Sequence, residues 1–469
     1  MSDCFLSPSE PNAVWLLPSL TQALRAVALY DKMIFARTKA GFPRMMAFIV
    51  SYPSSTHGPS IDFLRDRLLD LQERFPSLCA RIEDRGGIDW RWTPGPVWTL
   101  GDIVREDTYD GSGTMETLLE AVLKRGEENQ LSNTGDKPLW LISRLTSDRG
   151  GEDKAYFSFS INHALTDGAG AAQLLLALLK PSVSDLPRDP PLPKMLEDTI
   201  PIVPPEGWKP PSPATDQWPG KMVAKSPLDC PGVRVYHDLS VDTVDDLRAQ
   251  GKVNGIKSLH PILATAYYIS LHHVLSPRLP QSFTTTWQTP INERQAELGH
   301  PLLTYNYYSL VNSSFSAVDP SASFWQLAKE HYSRITDPDA IQEGRYGFSM
   351  LHSPKVIGPK AALERARSET PLPCTGDITN LTKVNLPPGS DDLRWTASVS
   401  PFLGAVEVHL IGHEGGIRAD TGFRDGCATH RTEMQRVGRL WQEVIGRVAA
   451  GEGVVCEVLG EDREQNGKG

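Results

Sequence analysis

AYFSFSINHALTDGAGAAQLLLALL, residues 155–179, is the stretch from which the fold of this chain is read. It opens in alternation, with Tyr156, Ser158 and Ser160 on one side and Phe157, Phe159 and Ile161 on the other. A period of two predicts a strand. Residues 168–179 pass from small residues into a leucine-rich run at helical spacing. Between strand and helix stand His163, Asp167 and Gly168. A histidine at a strand end, an acid four residues on and a glycine opening the helix place an imidazole on a tight corner. Such a corner suits general base catalysis, because a neutral imidazole takes a proton near working pH. The residues alone also allow a histidine packed at a strand end. Asp167 reads either as the N-cap of the helix or as a bridge to a distant arginine.

Outward from this stretch, 469 residues favour two or three domains. With 40% hydrophobic and 22% charged residues, the composition is that of an ordinary globular enzyme. A formal charge of −10 gives no support to nucleic-acid binding and means that an anionic ligand needs a local basic patch. No apolar run is long enough for a membrane span, and no signal peptide is expected. The six cysteines lack zinc or CxxC spacing, which reads as free thiols in a reducing, cytosolic setting.

In chain order, apolar residues 16–30 read as partly helical, 45–52 as a buried strand and 61–75 as an amphipathic helix ended by Pro76. Residues 78–82 and 88–92 read as a hairpin, 115–128 as a helix and 139–145 as a strand. Residues 181–231 hold 14 of the 38 prolines, which excludes long helices and central strands and predicts a stiff linker docked through Trp208 and Trp218. Beyond it, 234–239, 283–289 and 305–315 read as strands and 241–252, 259–275 and 324–335 as helices. Residues 336–376 show poor periodicity and read as loop. Residues 394–399 and 406–411 read as a late hairpin, 429–448 as the closing helix, and the tail after Glu461 as frayed. His260, His272 and His273 lie on different helix faces, and His409 and His413 lack the HExxH order; all are read as structural, and no metal is expected.

The spacing of His163, Asp167 and Gly168 resembles the HxxxDG signature of the CoA-dependent acyltransferase superfamily. That group includes chloramphenicol acetyltransferase, plant BAHD acyltransferases, fungal alcohol and trichothecene O-acetyltransferases and peptide-synthetase condensation domains. FPSLCAR (75–81), KPLW (137–140), PINER (290–294) and DITNL (377–381) resemble further superfamily segments in the expected order, across roughly residues 45–425. The DFGWG segment of the plant enzymes is absent; DTGFRDG (420–426) lacks its tryptophan.

The resemblance implies a two-domain α/β fold like that of chloramphenicol acetyltransferase, with mixed sheets flanked by helices and a tunnel at the domain interface. It implies halves at residues 1–180 and 233–469, joined by a proline-rich crossover at 181–232. His163 is implied as general base without an acyl-enzyme. Asp167 is implied as an architectural acid paired with Arg294, and Gly168 as a position where a side chain would crowd the turn. Thr379, Asn380, Asn306 and Tyr305 are rival candidates for the oxyanion or tunnel wall. The implied reaction moves an acyl group, most simply acetyl from acetyl-CoA as co-substrate, to a hydroxyl of a small secondary metabolite such as a sesquiterpenoid. A monomer is expected. The alternatives are a stand-alone condensation-type enzyme using a carrier-protein thioester, and a binding protein without turnover.

Overall fold

The computed structural model describes residues 25–460 other than 54–57, 87–88, 110–112, 133–134, 148–153, 183–193, 212–215, 220–224, 280–282, 295–303, 317–318, 353–357, 368–371 and 373. The architecture is mixed α/β, built on two large sheets. The first runs Asp392–Ala397, Met45–Tyr52, Ala155–Asn162, Trp140–Ser147, Val104–Tyr109. The second runs Tyr308–Phe315, Thr284–Asn292, Cys374–Lys383, Gly404–His413, Gly416–Arg424, Gly232–Leu239, with Gln217–Trp218 added beside Thr284–Asn292.

Met45–Tyr52 is buried throughout because both faces of its sheet are covered. Met45, Ala47 and Ile49 pack with Leu119 and Val122 of the Met115–Leu131 helix. Met46, Phe48 and Val50 belong to the main core, together with Leu64 and Leu68 of the Ile61–Arg74 helix and Leu174 and Leu175 of Gly168–Leu179. The Ser60, Thr114 and Asp167 side chains cap these three helices. In the second sheet, Leu259–Leu275 and Arg431–Ala449 cover one face, and Trp441 reaches the Leu263 carbonyl at 3.1 Å. Of the proline-rich stretch, Trp218 is buried and Trp208 lies against the Tyr346 ring, so the described part docks as expected.

Several local expectations are corrected. Residues 394–399 and 406–411 do not form a hairpin. Asp392–Ala397 instead leaves the second-half strands and pairs antiparallel with Met45–Tyr52 in the first sheet. Its side chains still hold the second sheet: Trp395 donates to the Leu410 carbonyl at 3.1 Å and Arg394 grips Asp238 with two bonds. Arg234 from the far strand donates to Thr396 and the Ala397 carbonyl. Gly416–Arg424 is a strand that the expectations omit.

Residues 336–376 are largely helical where described, with Pro338–Gly347 started by the Asp337 cap and Pro359–Arg367 following. The strand from Thr284 passes through Pro290 to Asn292. Pro290 lies beyond the last pairing to Cys374–Lys383, so its missing N–H breaks no ladder bond on that side. The strand expected from Tyr305 begins at Tyr308, because Tyr305 sits at φ 69 and cannot extend it. The expectations for residues 16–24 and for the tail after Glu461 lie outside the described residues. Among the described residues no helix is long and apolar enough to cross a membrane.

Candidate active site

The corner at His163 is built by main-chain bonds. Ala155–Asn162 pairs with Met45–Tyr52 on one side and Trp140–Ser147 on the other, and the His163 N–H continues the ladder to the Arg44 carbonyl at 2.9 Å. Asn162 then closes the turn: its side-chain oxygen accepts from Ala164 N–H at 2.9 Å and its carbonyl from Leu165 N–H at 2.9 Å. From the second sheet's side, Tyr305 N–H donates to the Leu165 carbonyl, and Asn306 Nδ2 donates to the His163 carbonyl at 2.8 Å. Two distant segments therefore hold one six-residue loop.

Asp167 fills both roles that the sequence left open. Oδ1 caps the helix by accepting from Gly170 N–H at 2.9 Å. Oδ2 accepts from Arg294 Nη1 at 2.8 Å and from Tyr307 N–H at 2.9 Å. Arg294 is itself placed by Asn292 and lies over the Tyr307 ring. Burial pushes the Asp167 carboxyl up, yet the Arg294 charge and these hydrogen bonds outweigh it and hold the pKa below the usual carboxylate range. A side chain at Gly168 would be crowded by the second sheet rather than by the turn itself. The glycine's φ is not in the left-handed region; a Cβ there would lie 2.9 Å from Leu381 Cδ2 and 3.5 Å from the Trp395 ring. The helix start must pass close to the second sheet.

His163 packs beside the rings of Tyr30 and Tyr308, at centroid distances of 5.7 and 6.1 Å, and those two rings meet edge-on at 4.9 Å. Nδ1 is buried without a hydrogen-bond partner, so Nε2 is the nitrogen presented to the open side. Burial and then the nearby Arg44 charge draw the pKa down to about 4, against weaker support for the cation from its own carbonyl, Asp167 and Asn306. The imidazole is therefore uncharged at neutral pH, as a general base requires. Burial raises the Tyr30 and Tyr308 hydroxyls, which keeps both phenols protonated as donors.

A cavity with about 840 Å³ of empty space, its mouth included, opens on this ring. It is lined by His163, Asp167, Gly168 and Arg294, and from the second sheet by Thr379, Asn380 and Leu381. Thr379 donates to Asp377 at 3.2 Å, whereas the Asn380 side-chain oxygen accepts from Thr382 N–H, leaving its amide as a donor. Tyr305 and Asn306 are not among the lining residues. Tyr305 packs its ring on Trp92, and Asn306 is engaged by Asp31 and the His163 carbonyl. Their geometry is that of supports for the corner.

Sequence reasoning named none of Tyr30, Arg44, Gln288, Asn292, Tyr308, Asp377 and His409 as a site residue, and all seven line this cavity. His409, read as structural, lies beside Trp395 and 3.3 Å from Asp420, and it also faces the cavity. Arg44 is ion-paired with buried Glu407 at 2.5 Å. Asp377 is 9% exposed, and its Oδ1 has no partner. Burial, then the Glu407 charge, raises its carboxyl to about 6 despite His409, Arg44 and Thr379. Asp377 opens the DITNL segment (377–381); nothing local marks Tyr30 or Arg44.

No protein-family model matches the sequence, and no curated protein does. Solved structures do. A trichothecene 15-O-acetyltransferase from Fusarium sporotrichioides superposes with TM-score 0.61 at 12% identity, covering 95% of this chain and 99% of that one. The condensation domain of the Monacolin K polyketide synthase gives TM-score 0.61 at 11% identity, over 92% and 99%. Polyketide synthase associated protein 5 from Mycobacterium tuberculosis gives 0.58 at 17% identity, over 91% and 100%. The chain has the acyltransferase–condensation fold. Within that fold its HxxxDG loop lies where residues of both large sheets line one cavity.

Proposed function

We propose that this chain is an acyltransferase that moves an acyl group from a thioester to a hydroxyl of a small secondary metabolite. His163 is its general base. The observation that carries the reading is a partly open imidazole on a cavity lined from both sheets, on a loop that the Asp167–Arg294 pair ties down.

In this reading Nε2 takes the acceptor's hydroxyl proton as the oxygen attacks the thioester carbonyl carbon. The Asn380 amide, with the Tyr30 and Tyr308 hydroxyls as rivals, stabilises the oxyanion of the tetrahedral adduct. The carbon–sulfur bond then breaks, and the leaving thiolate takes the proton from the imidazolium. Products are an ester and a free thiol, with no acyl-enzyme. Asp167 carries no proton, because Arg294 and two N–H groups occupy it. Thioester and acceptor enter from opposite faces of a tunnel, of which the described cavity is the centre. The halves divide near residues 180 and 233, with strand Asp392–Ala397 crossing between them. We take acetyl-CoA as the donor and an apolar, sesquiterpenoid-like alcohol as the acceptor, since Met46, Leu310, Leu381 and Trp395 contribute apolar wall.

Condensation domains among the structural neighbours support a second reading, in which a carrier-protein thioester is the donor. Purified protein, acetyl-CoA and a panel of hydroxylated acceptors, read by thiol release, test the first reading. Turnover only with a phosphopantetheinyl carrier protein assigns the second, and silence with both overturns acyl transfer.

A further inference from the structure

A second cavity, with about 590 Å³ of empty space, mouth included, shares Arg44 with the catalytic cavity. Arg37, Arg44 and Arg424 all line this second cavity. Three guanidinium groups on one cavity repel one another, and buried cations are normally matched by a carboxylate. Among the described residues only Arg44 is matched by a carboxylate, Glu407. Arg37 is 6% exposed, yet among the described residues its Nη1 has no partner and its Nη2 meets only the Met33 sulfur at 3.4 Å. The face of that guanidinium rests on the Phe402 ring at 5.4 Å.

Arg424 donates to the Cys230 and Val399 carbonyls and leaves Nε buried without a partner. Glu127 is the carboxylate on the cavity wall, and it makes no contact with Arg37 or Arg424 short enough for an ion pair among the described residues. Burial lowers Arg37 to about 10, so the group is still charged at neutral pH. Ser398 and Ser400 also line the cavity; their hydroxyl oxygens accept from the Met45 and Phe402 N–H groups, leaving both hydroxyl protons to donate.

We infer that this cavity is an anion site, in which Arg37 and Arg424, with the Ser398 and Ser400 hydroxyls, bind a phosphate or carboxylate group. Guanidinium forks suit the planar or tetrahedral oxygens of such groups. The site lies one side chain from the catalytic cavity, since Arg44 lines both. The occupant is therefore an anionic part of a substrate, either the phosphate of a thioester donor or a carboxylate on the acceptor. The identity of the occupant rests on the acyl-transfer reading, whereas anion binding itself does not.

Calorimetric titration of the whole chain at fixed ionic strength, with inorganic phosphate and separately with acetate, tests it. Saturable binding of one anion is expected, weakened at least about tenfold in both Arg37→Met and Arg424→Met. Selenate soaked into crystals of the unaltered protein should place its anomalous signal between Arg37 and Arg424, which keeps the test sound if either variant fails to fold. Displacement of phosphate by phosphopantetheine but not by pantetheine assigns the anion to the donor; tighter acetate than phosphate assigns it to the acceptor. No saturable binding of either anion, binding unchanged in both variants, or selenate found only elsewhere overturns the site.

Discussion

Asp167 and Asp377 are two buried aspartates on the wall of one cavity, and their surroundings push them in opposite directions. Asp167 has both carboxylate oxygens engaged, by a helix N–H, the Tyr307 N–H and the Arg294 guanidinium. It is a fixed, ionised strut. Asp377 has a like charge in Glu407 nearby, a hydroxyl from Thr379 and an oxygen without any partner, and its pKa rises to about 6. The difference teaches how to tell a positioning acid from an available one. The strut's environment is complete without ligand, whereas Asp377 has hydrogen-bonding capacity left over for one.

The comparison is broken most forcefully at the strut. Asp167→Asn leaves the Arg294 charge without its partner in a largely buried place, and we expect a loss of about 3–5 kcal/mol of stability with activity falling alongside. Thermal or urea unfolding measures it; a fully stable but inactive Asp167→Asn would contradict the structural role. Arg294→Met should destabilise less than additively with Asp167→Leu in a double-mutant cycle, because the two singles each remove one half of the same pair.

Asp377→Asn should do the reverse. A carboxyl whose folded pKa lies above its ordinary 3.8 destabilises the native state when ionised, so native stability falls as pH rises from about 4 through 6. The asparagine variant escapes that loss. Its melting temperature should equal or exceed the parent's at pH 7.5, and the advantage should shrink as pH falls from about 6 towards 4. A variant clearly less stable than the parent at pH 7.5 would show that Asp377 is a strut too.

The smallest effect is expected at Gly168. An alanine Cβ meets only the flexible end of Leu381 and the edge of Trp395, so a cost of about 1 kcal/mol follows from overpacking. Leu381→Ala should relieve it; a cost that persists in the double variant would place the constraint in the backbone.

These residues also show what the sequence could and could not reveal. The strut was legible because local periodicity fixes a strand end and a helix start, and the HxxxDG and PINER segments supplied both partners. Sheet partnership was not. Alternation tells which face a residue takes but not which strand lies beside it. Asp392–Ala397 therefore read as half of a hairpin with its sequence neighbour, although it pairs with Met45–Tyr52 some 340 residues away. That crossing sets Trp395 beside His409, and Asp377 reaches the cavity through the pairing of Cys374–Lys383 with Gly404–His413. The Asp337-Pro338 start of a helix was readable as a cap, and the alternation of Ile417, Ala419, Thr421 and Phe423 as a strand. No such cue marks Arg37 or Arg44, whose surroundings arise from segments far apart in sequence.

The central claim is that one uncharged imidazole does the proton transfer. With acetyl-CoA and an accepted alcohol, kcat of the parent should hold level from pH 8 down to about 5 and fall along a limb near 4, where His163 gains its proton. His163→Ala should lose about 10²–10⁴-fold in kcat while its melting temperature stays close to the parent's. Turnover unchanged in His163→Ala would contradict the account.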